Sequence, residues 1–247
     1  KAYLEEHPEF EHICILLSGD TGFYSGAAKL REALLPLDAH LTILPGISSL
    51  SYLASRLHVD YEQVCPVSLH GRTGNLVACV DSHPAVFVLL SGQDSVHAMC
   101  QELMEYGLSR VKIAVGQRLS YPDEQITVGT PEELVKDHFK DLCAALIEND
   151  DFDRHPAASI PDEAWIRGEV PMTKEEVRIL SLSRLRLTED SVLYDIGAGT
   201  GSVSVEAARR AHRGTVYAIE QKADAVELIR KNKKKFRTPN VETVYGK

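Results

Sequence analysis

The sequence lacks a disulfide pattern, a metal-binding pattern and a long apolar run, and each absence excludes a class of protein. Its five cysteines are scattered and never spaced as C-x-x-C, which favours a reducing compartment, so we expect a cytoplasmic protein. The ten histidines form no H-E-x-x-H motif and no cluster with cysteine, so we predict no metal site. No apolar run approaches the ~20 residues of a transmembrane helix, and we expect no membrane partner.

Basic charge is also in short supply. Lysine and arginine total 27 against 36 acidic residues, which gives a net charge of −9. Because nucleic-acid binders carry a basic footprint, we expect no nucleic-acid partner. The one basic run, 230–235, falls on a predicted helix and is typical of a solvated helix face. The 247 residues, 44% of them hydrophobic, are enough for one or two domains with real cores.

A glycine-rich stretch at 192–201 organises the second half of the chain. An apolar strand ends beside Asp195, a tight turn follows, and a helix is predicted to begin near Ser202. Glycine lets the backbone turn sharply and approach a ligand, while the helix N-terminus presents free N–H groups to it. A second apolar strand, 215–219, ends in Glu220, an acid that could accept ribose hydroxyls. The three glycines of the turn are Gly197, Gly199 and Gly201.

The spacing of this turn distinguishes two cofactor classes. The dinucleotide fingerprint G-x-G-x-x-G would require glycine at the position of Ser202. The Asp195 carboxylate would repel a pyrophosphate but suits a ligand that carries a cationic amino group. The pattern therefore favours S-adenosylmethionine. Two alternatives to an S-adenosylmethionine site remain: the turn could belong to a nicotinamide oxidoreductase, or it could bind no ligand.

The stretch resembles motif I of the class I S-adenosylmethionine-dependent methyltransferases. Together with Pro171-Met172-Thr173-Lys174 and Glu176-Val177-Arg178, the segment 195–206 is similar to the corrin-pathway C15-methyltransferases, which also decarboxylate an acetate side chain. The resemblance implies a partial Rossmann-like domain at 169–247, with Asp195 serving the methionine end of the cofactor and Glu220 its ribose. The cofactor residues that it implies are Thr173, Asp195, Gly197, Ala198, Gly199, Thr200, Gly201 and Glu220.

Apolar runs that end in polar turns also recur in the first half of the chain. Strands are predicted at 13–17 and 41–44, each followed by a turn and a helix, which is typical of an α/β fold with a parallel sheet. Further strands are predicted at 86–90 and 112–115, and an edge strand at 125–129. Thr130-Pro131 has the pattern of a capped helix start.

The turns of this half resemble the class III tetrapyrrole methylase family, and within it the corrin-pathway C5-methyltransferases. The residues that carry the resemblance are Ser18-Gly19-Asp20, Pro45-Gly46-Ile47-Ser48-Ser49 and Ser68-Leu69-His70-Gly71-Arg72, within 1–148. It implies cofactor contacts at Gly19, Asp20, Phe23, Ser48 and Ser49, and Thr21 stands where the family usually has proline. Arg72 could hold a substrate carboxylate and His70 could move a proton; alternatively, both belong to a turn that bonds backbone.

A polar stretch at 149–168 is predicted to link the two domains, with its Trp165 packed on the second. Residues that the families would place before Lys1 and after Lys247 are expected to be missing. The resemblances imply an enzyme that methylates C5 and C15 of a precorrin or cobalt-precorrin ring and decarboxylates an acetate arm, in cobalamin biosynthesis. The alternative is a catalytically incompetent binding or scaffolding fragment. Because both families are usually oligomeric, a homo-oligomer is expected.

Overall fold

The computed structural model describes residues 3, 6–7, 10, 12–37, 40–69, 74–140 and 142–246. The chain divides into two compact units, Lys1–Tyr61 and Glu62–Lys247. Within the described ranges, no helix combines the length and the apolar character that crossing a bilayer requires.

The first unit contains helices α1 (Ala27–Leu34) and α2 (Ser49–Leu57). The α2 helix begins at Ser48, whose Oγ accepts the Ser51 N–H at 3.0 Å. The strands predicted at 13–17 and 41–44 are wrong, because neither segment joins a ladder among the described residues. Both segments line one cavity of about 680 Å³, and neither has a partner strand to complete its backbone hydrogen bonds within the described residues.

The second unit contains a five-stranded sheet in the order β1-β2-β5-β3-β4. Only β1 and β2 pair in parallel, so the parallel sheet expected from the sequence is limited here to one pair. The predicted edge strand at 125–129 is confirmed, since β4 lies at the end of the order. The strands are β1 (Val64–Ser68), β2 (Ala85–Leu89), β3 (Lys112–Gln117), β4 (Gln125–Gly129) and β5 (Cys143–Glu148).

Three helices accompany this sheet: α3 (Leu76–Ser82), α4 (Gln93–Glu105) and α5 (Pro131–Leu134). The predicted start of α5 is confirmed, because Thr130 and Glu133 form a capping box with proline at the first helical position. Aliphatic side chains from the helices and the sheet form one core, which includes Leu76, Val88, Met99, Leu103, Ile113 and Ile147.

A three-stranded parallel sheet, β6-β7-β8, follows in the same unit. The register places Ile196 opposite Ile219, so the carboxyl ends of β6 and β7 meet at one edge. Helices between the strands make the parallel crossovers, as the sequence predicts for this half. The elements are α6 (Glu175–Leu185), β6 (Val192–Ile196), α7 (Ser202–Arg210), β7 (Thr215–Glu220), α8 (Ala223–Lys235) and β8 (Val241–Tyr245).

Polar contacts join the two sheet regions of this second unit. Arg237 pairs with Asp81 at 2.5 Å, and Lys234 pairs with Glu105 at 2.8 Å. The Asn75 side-chain amide also donates to the His212 carbonyl at 2.9 Å. These contacts link α3 and α4 to the segments around α7 and α8.

Gly214 lies in the turn between α7 and β7, where a Cβ would stand 1.9 Å from the Ser191 carbonyl oxygen. Gly214→Ala should therefore displace the start of β6 and lower the free energy of unfolding by about 2 kcal/mol. Gly246→Ala is the matched control, because a Cβ there meets nothing within 4 Å. Urea unfolding measures both variants, and equal stability of the two would contradict the prediction.

Candidate functional site

The glycine turn, defined as residues 197–201, connects β6 to α7. Its three glycines have φ angles of 79°, 55° and 79°, a region that residues with a side chain rarely adopt. The Gly197 and Ala198 amides donate to the Ile219 carbonyl at 2.9 and 3.1 Å, and the Gly201 amide donates to Ala198 at 2.8 Å. The turn is therefore tied to the end of β7, and its shape depends on glycine at these positions.

Asp195, the last but one residue of β6, contacts the first turn of the helix that follows the glycine turn. Its Oδ2 accepts the Ser204 hydroxyl at 2.5 Å, and the Ser204 amide also bonds this carboxylate. Burial raises the pKa of Asp195 and nearby Glu220 raises it further, against these two hydrogen bonds. A carboxylate in this position stabilises the first turn of α7 and would act on a ligand through the turn.

Glu220, at the end of β7, joins the glycine turn to the segment before α8. One carboxylate oxygen accepts the Gly199 amide at 3.0 Å, and the other accepts the Gln221 and Lys222 amides at 2.8 and 3.0 Å. Burial by itself would raise the pKa of Glu220, but the three amides together lower it. The side chain is 7% exposed and retains about one lone-pair direction for a ligand hydroxyl.

Thr200 supplies an unsatisfied polar atom inside the turn. The residue is 1% exposed, and its hydroxyl has no hydrogen-bond partner in the described part of the chain. Its carbonyl, in contrast, accepts the Asn232 side-chain amide at 2.9 Å. A buried hydroxyl without a partner costs about 1–3 kcal/mol, and because the atom is closed off from solvent, a ligand could reach it only if the turn shifted.

The segment that contains Thr173 passes close to the glycine turn. A Cβ on Gly199 would stand 3.0 Å from the Pro171 carbonyl oxygen and 3.7 Å from Val170. The Thr173 carbonyl accepts the Arg178 guanidinium at 2.6 Å, while the residue itself is exposed. The structure thus brings Thr173, the turn and Glu220 to one end of the three-stranded sheet.

The roles of two buried polar residues, Arg178 and Asn232, are not predicted by the sequence patterns. Arg178 stands there only as part of a motif, and Asn232 lies within the basic run that is predicted to be a solvated helix face. Asn232 is fully buried and bonds both backbone groups of Ile166 as well as the Thr200 carbonyl. An asparagine at an apolar position of an amphipathic helix was the available signal.

In the first unit, the turn at Gly19-Asp20 contacts the turn at Pro45-Gly46. A Cβ on Gly46 would stand 2.3 Å from the Gly19 carbonyl oxygen, which makes glycine necessary there. The Thr21 hydroxyl donates to the Leu44 carbonyl at 3.1 Å, and Asp20 accepts the Gly22 amide at 2.5 Å. Gly19 itself has a φ of 75°.

The remaining predicted residues of the first unit flank these turns. The Phe23 amide donates to the Asp20 carbonyl at 3.2 Å, and the Ser48 hydroxyl is engaged as the cap of α2. Ser49 is the first residue of that helix. The predicted catalytic candidates, His70 and Arg72, lie outside the described residues. Among the residues that are described, no three His, Cys, Asp or Glu side chains are grouped to hold a metal ion.

Two family models match the chain in sequence order. Residues 1–135 match the tetrapyrrole (corrin/porphyrin) methylases, and residues 164–247 match the precorrin methyltransferase domain. A precorrin-6Y C(5,15)-methyltransferase (decarboxylating) from Sinorhizobium sp. is 28% identical over 95% of the chain. A probable cobalt-precorrin-6B C(15)-methyltransferase (decarboxylating) from Sulfolobus acidocaldarius is 54% identical over 35% of it.

The chain spans about half the length of these relatives, 57% of the Sinorhizobium protein and 46% of the Sulfolobus protein. Among solved structures, uroporphyrin III C-methyltransferase from Thermus thermophilus matches with a TM-score of 0.50 and 20% identity. The match covers 60% of this chain and 68% of that structure. This similarity shows that the two chains share a fold.

Glu220→Gln should lower the free energy of unfolding by about 2 kcal/mol at pH 7, because an amide has one acceptor oxygen for three backbone donors. The folded-state pKa of Glu220 lies below its ordinary 4.5, so its stabilisation is present above that value. The stabilisation is lost as the pH falls through the folded-state pKa. The difference between wild type and variant should therefore shrink in acid.

Urea unfolding at pH 7 and at stepwise lower pH measures this difference. Glu227→Gln, which changes an exposed carboxylate on α8, is the control and should leave stability almost unchanged. A constant difference between wild type and Glu220→Gln across the pH range would contradict the assigned role of the carboxylate.

Proposed function

We propose that this chain, which belongs to the tetrapyrrole (corrin/porphyrin) methylase family, is part of an enzyme that methylates C5 and C15 of a precorrin or cobalt-precorrin ring. The same enzyme would decarboxylate an acetate arm of the ring, in cobalamin biosynthesis. The observation that carries the proposal is the presence, in one chain, of two different glycine-dependent turns, each within a separate methyltransferase family match. We assign the C5 step to 1–148 and the C15 step to 169–247, joined by 149–168.

The cofactor of this family is S-adenosylmethionine, which when bound supplies an activated methyl group. The ring itself is electron-rich and provides the carbon nucleophile, so the protein must mainly orient the reactants and exclude water. The decarboxylation would use the ring as its electron sink. A site built of backbone turns that are held in place by side-chain hydrogen bonds suits this chemistry.

In the second unit, the glycine turn would hold the cofactor. The remaining acceptor position of Glu220 is suited to a ribose hydroxyl of the cofactor, and Thr200 would contribute through the backbone of the turn. The exposed Thr173 would border the cofactor on the other side of the turn. Asp195 would favour the cationic amino group through the turn and Ser204.

In the first unit, the meeting of two turns would form the other cofactor site. Because the Ser48 hydroxyl caps α2, its contact with a ligand would be through backbone, as would that of Gly19, which has no side chain. Ser49 would also contribute to the site. Asp20 and Phe23 would complete the site. The bond from Thr21 to Leu44 joins the two turns and compensates for the absence of a proline at that position. His70 and Arg72 stay the candidates for proton transfer and substrate binding.

We also propose that the protein acts in the cytoplasm as a homo-oligomer. All five cysteines are free thiols, which is the usual state in a reducing compartment. The oligomer rests on the resemblance to two usually oligomeric families. Light scattering that gives a monomer mass would contradict it.

Titration of S-adenosylhomocysteine into the chain, followed by calorimetry, tests the second cofactor site. Gly199→Ala should weaken binding on the order of tenfold or more, because it combines a φ of 55° with contact of the new methyl group against Pro171. Gly107→Ala is the matched control: its φ of 70° imposes the same strain, but a Cβ there meets nothing within 4 Å. No binding by wild type, or tight binding of NADH instead, would overturn the proposed function.

The stoichiometry of the same titration tests the first cofactor site. Wild type should bind two equivalents, and Gly46→Ala should lose one of them, because its methyl group cannot lie 2.3 Å from the Gly19 carbonyl. Gly26→Ala, where a Cβ meets nothing within 4 Å, should retain both. One equivalent in wild type and in Gly46→Ala alike would contradict a working site in the first unit.

A further inference from the structure

A segment that we call the strap, residues 159–173, crosses from the five-stranded region to α6 and passes the glycine turn. Its middle is attached to α8: the Asn232 side chain bonds the amide and the carbonyl of Ile166 at 3.0 and 3.1 Å. The Trp165 ring lies 4.5 Å from the ring of Phe236. The packing of Trp165 on the second domain, which the sequence predicts, is therefore confirmed.

Both ends of the strap are held by one side chain, Arg178 of α6. Its guanidinium donates to the Ile160 carbonyl at 2.5 Å and to the Thr173 carbonyl at 2.6 Å. It also bonds the Asp162 carboxylate at 3.0 Å, and its carbon lies 5.2 Å from the centre of the Trp165 ring. Arg178 therefore closes the strap into a loop with fixed ends.

Glu206 of α7 binds both Arg178 and the first residues of the strap. Its Oε1 accepts the Arg178 Nε at 2.5 Å, the Ile160 amide at 3.1 Å and the Ser159 hydroxyl at 3.2 Å. Arg178 is 0% exposed and Glu206 is 2% exposed. Removing both charges from water costs several kcal/mol, and an apolar pair of similar size is often no less stable, so stability alone does not account for this pair.

We propose that Arg178 is a positioning residue for the cofactor site of the second unit, through its hold on the strap. The guanidinium sets the position of Thr173 and of the Pro171 carbonyl, which borders Gly199. Because Arg178 is fully buried, its effect on a bound cofactor is carried by the strap and by α7. The inference rests on the proposed function, since it concerns the same cofactor site.

Three variants test this role. Arg178→Met removes every donor of the guanidinium but keeps an apolar stem, and Arg178→Lys restores a charge with fewer donors. Leu182→Ala, one helical turn further along α6 and 2% exposed, lowers stability without touching the strap's polar bonds and is the control. Each is studied at a temperature where urea unfolding finds it fully folded.

Two measurements are made on each variant. Calorimetry in the Gly46→Ala background, which leaves only the second unit's site, gives the dissociation constant of S-adenosylhomocysteine, and acrylamide quenching gives the accessibility of Trp165, the only tryptophan. We expect Arg178→Met to weaken binding on the order of ten- to a hundredfold and to increase quenching. Arg178→Lys should recover part of both, while Leu182→Ala, which removes none of the strap's polar bonds, should leave the affinity unchanged.

The outcomes separate this inference from the proposed function. Unchanged affinity in Arg178→Met, or an equal loss in Leu182→Ala, overturns the positioning role while wild-type binding stands. If wild type binds no S-adenosylhomocysteine, the proposed function fails and the inference falls with it. Weaker binding and greater quenching in Arg178→Met alone, with partial recovery in Arg178→Lys, support the positioning role.

Discussion

The Glu220 carboxylate is the interaction on which the second half of the structure depends. It accepts the Gly199 amide on one side and the Gln221 and Lys222 amides on the other, so one side chain holds both the turn after β6 and the start of the next helical segment. Three hydrogen bonds to an ionised group inside the protein offset the cost of its burial. The left-handed glycines then follow as a requirement of the turn that this carboxylate holds.

Other buried polar side chains around the turn also hold backbone segments in place by hydrogen bonds. Asn232 attaches both the turn and the strap to α8, and Arg178 with Glu206 attaches the strap to α6 and α7. Methyl transfer from an activated donor to an electron-rich ring asks mainly for positioning. The proposed site accordingly consists of backbone groups in fixed places, and the charged residues around it act as clamps.

The two halves of the chain differ in how well their strands were predicted. In the second half, an apolar run, a glycine turn and an amphipathic helix follow each other locally, and β6, α7 and β7 appear where expected. The apolar runs at 13–17 and 41–44 carry the same pattern but join no ladder among the described residues, because a strand also needs a neighbouring strand to pair with. The apolar sequence pattern predicts that a segment tends to form a strand. Whether that strand pairs with another depends on the rest of the fold.

Local chemistry in the sequence was sufficient to find the glycine turn, its two acids, the cap of α5 and the separate turns at Gly19 and Gly46, because short-range spacing dictates each of them. Only the tertiary structure decided what these groups touch. It bonded Asp195 to Ser204 in the first turn of α7, gave Glu220 three backbone donors and buried Asn232 inside a run of lysines. The bonds of Arg178 to Ile160 and Glu206 span 18 and 28 residues, and such contacts follow from packing, which no local pattern encodes.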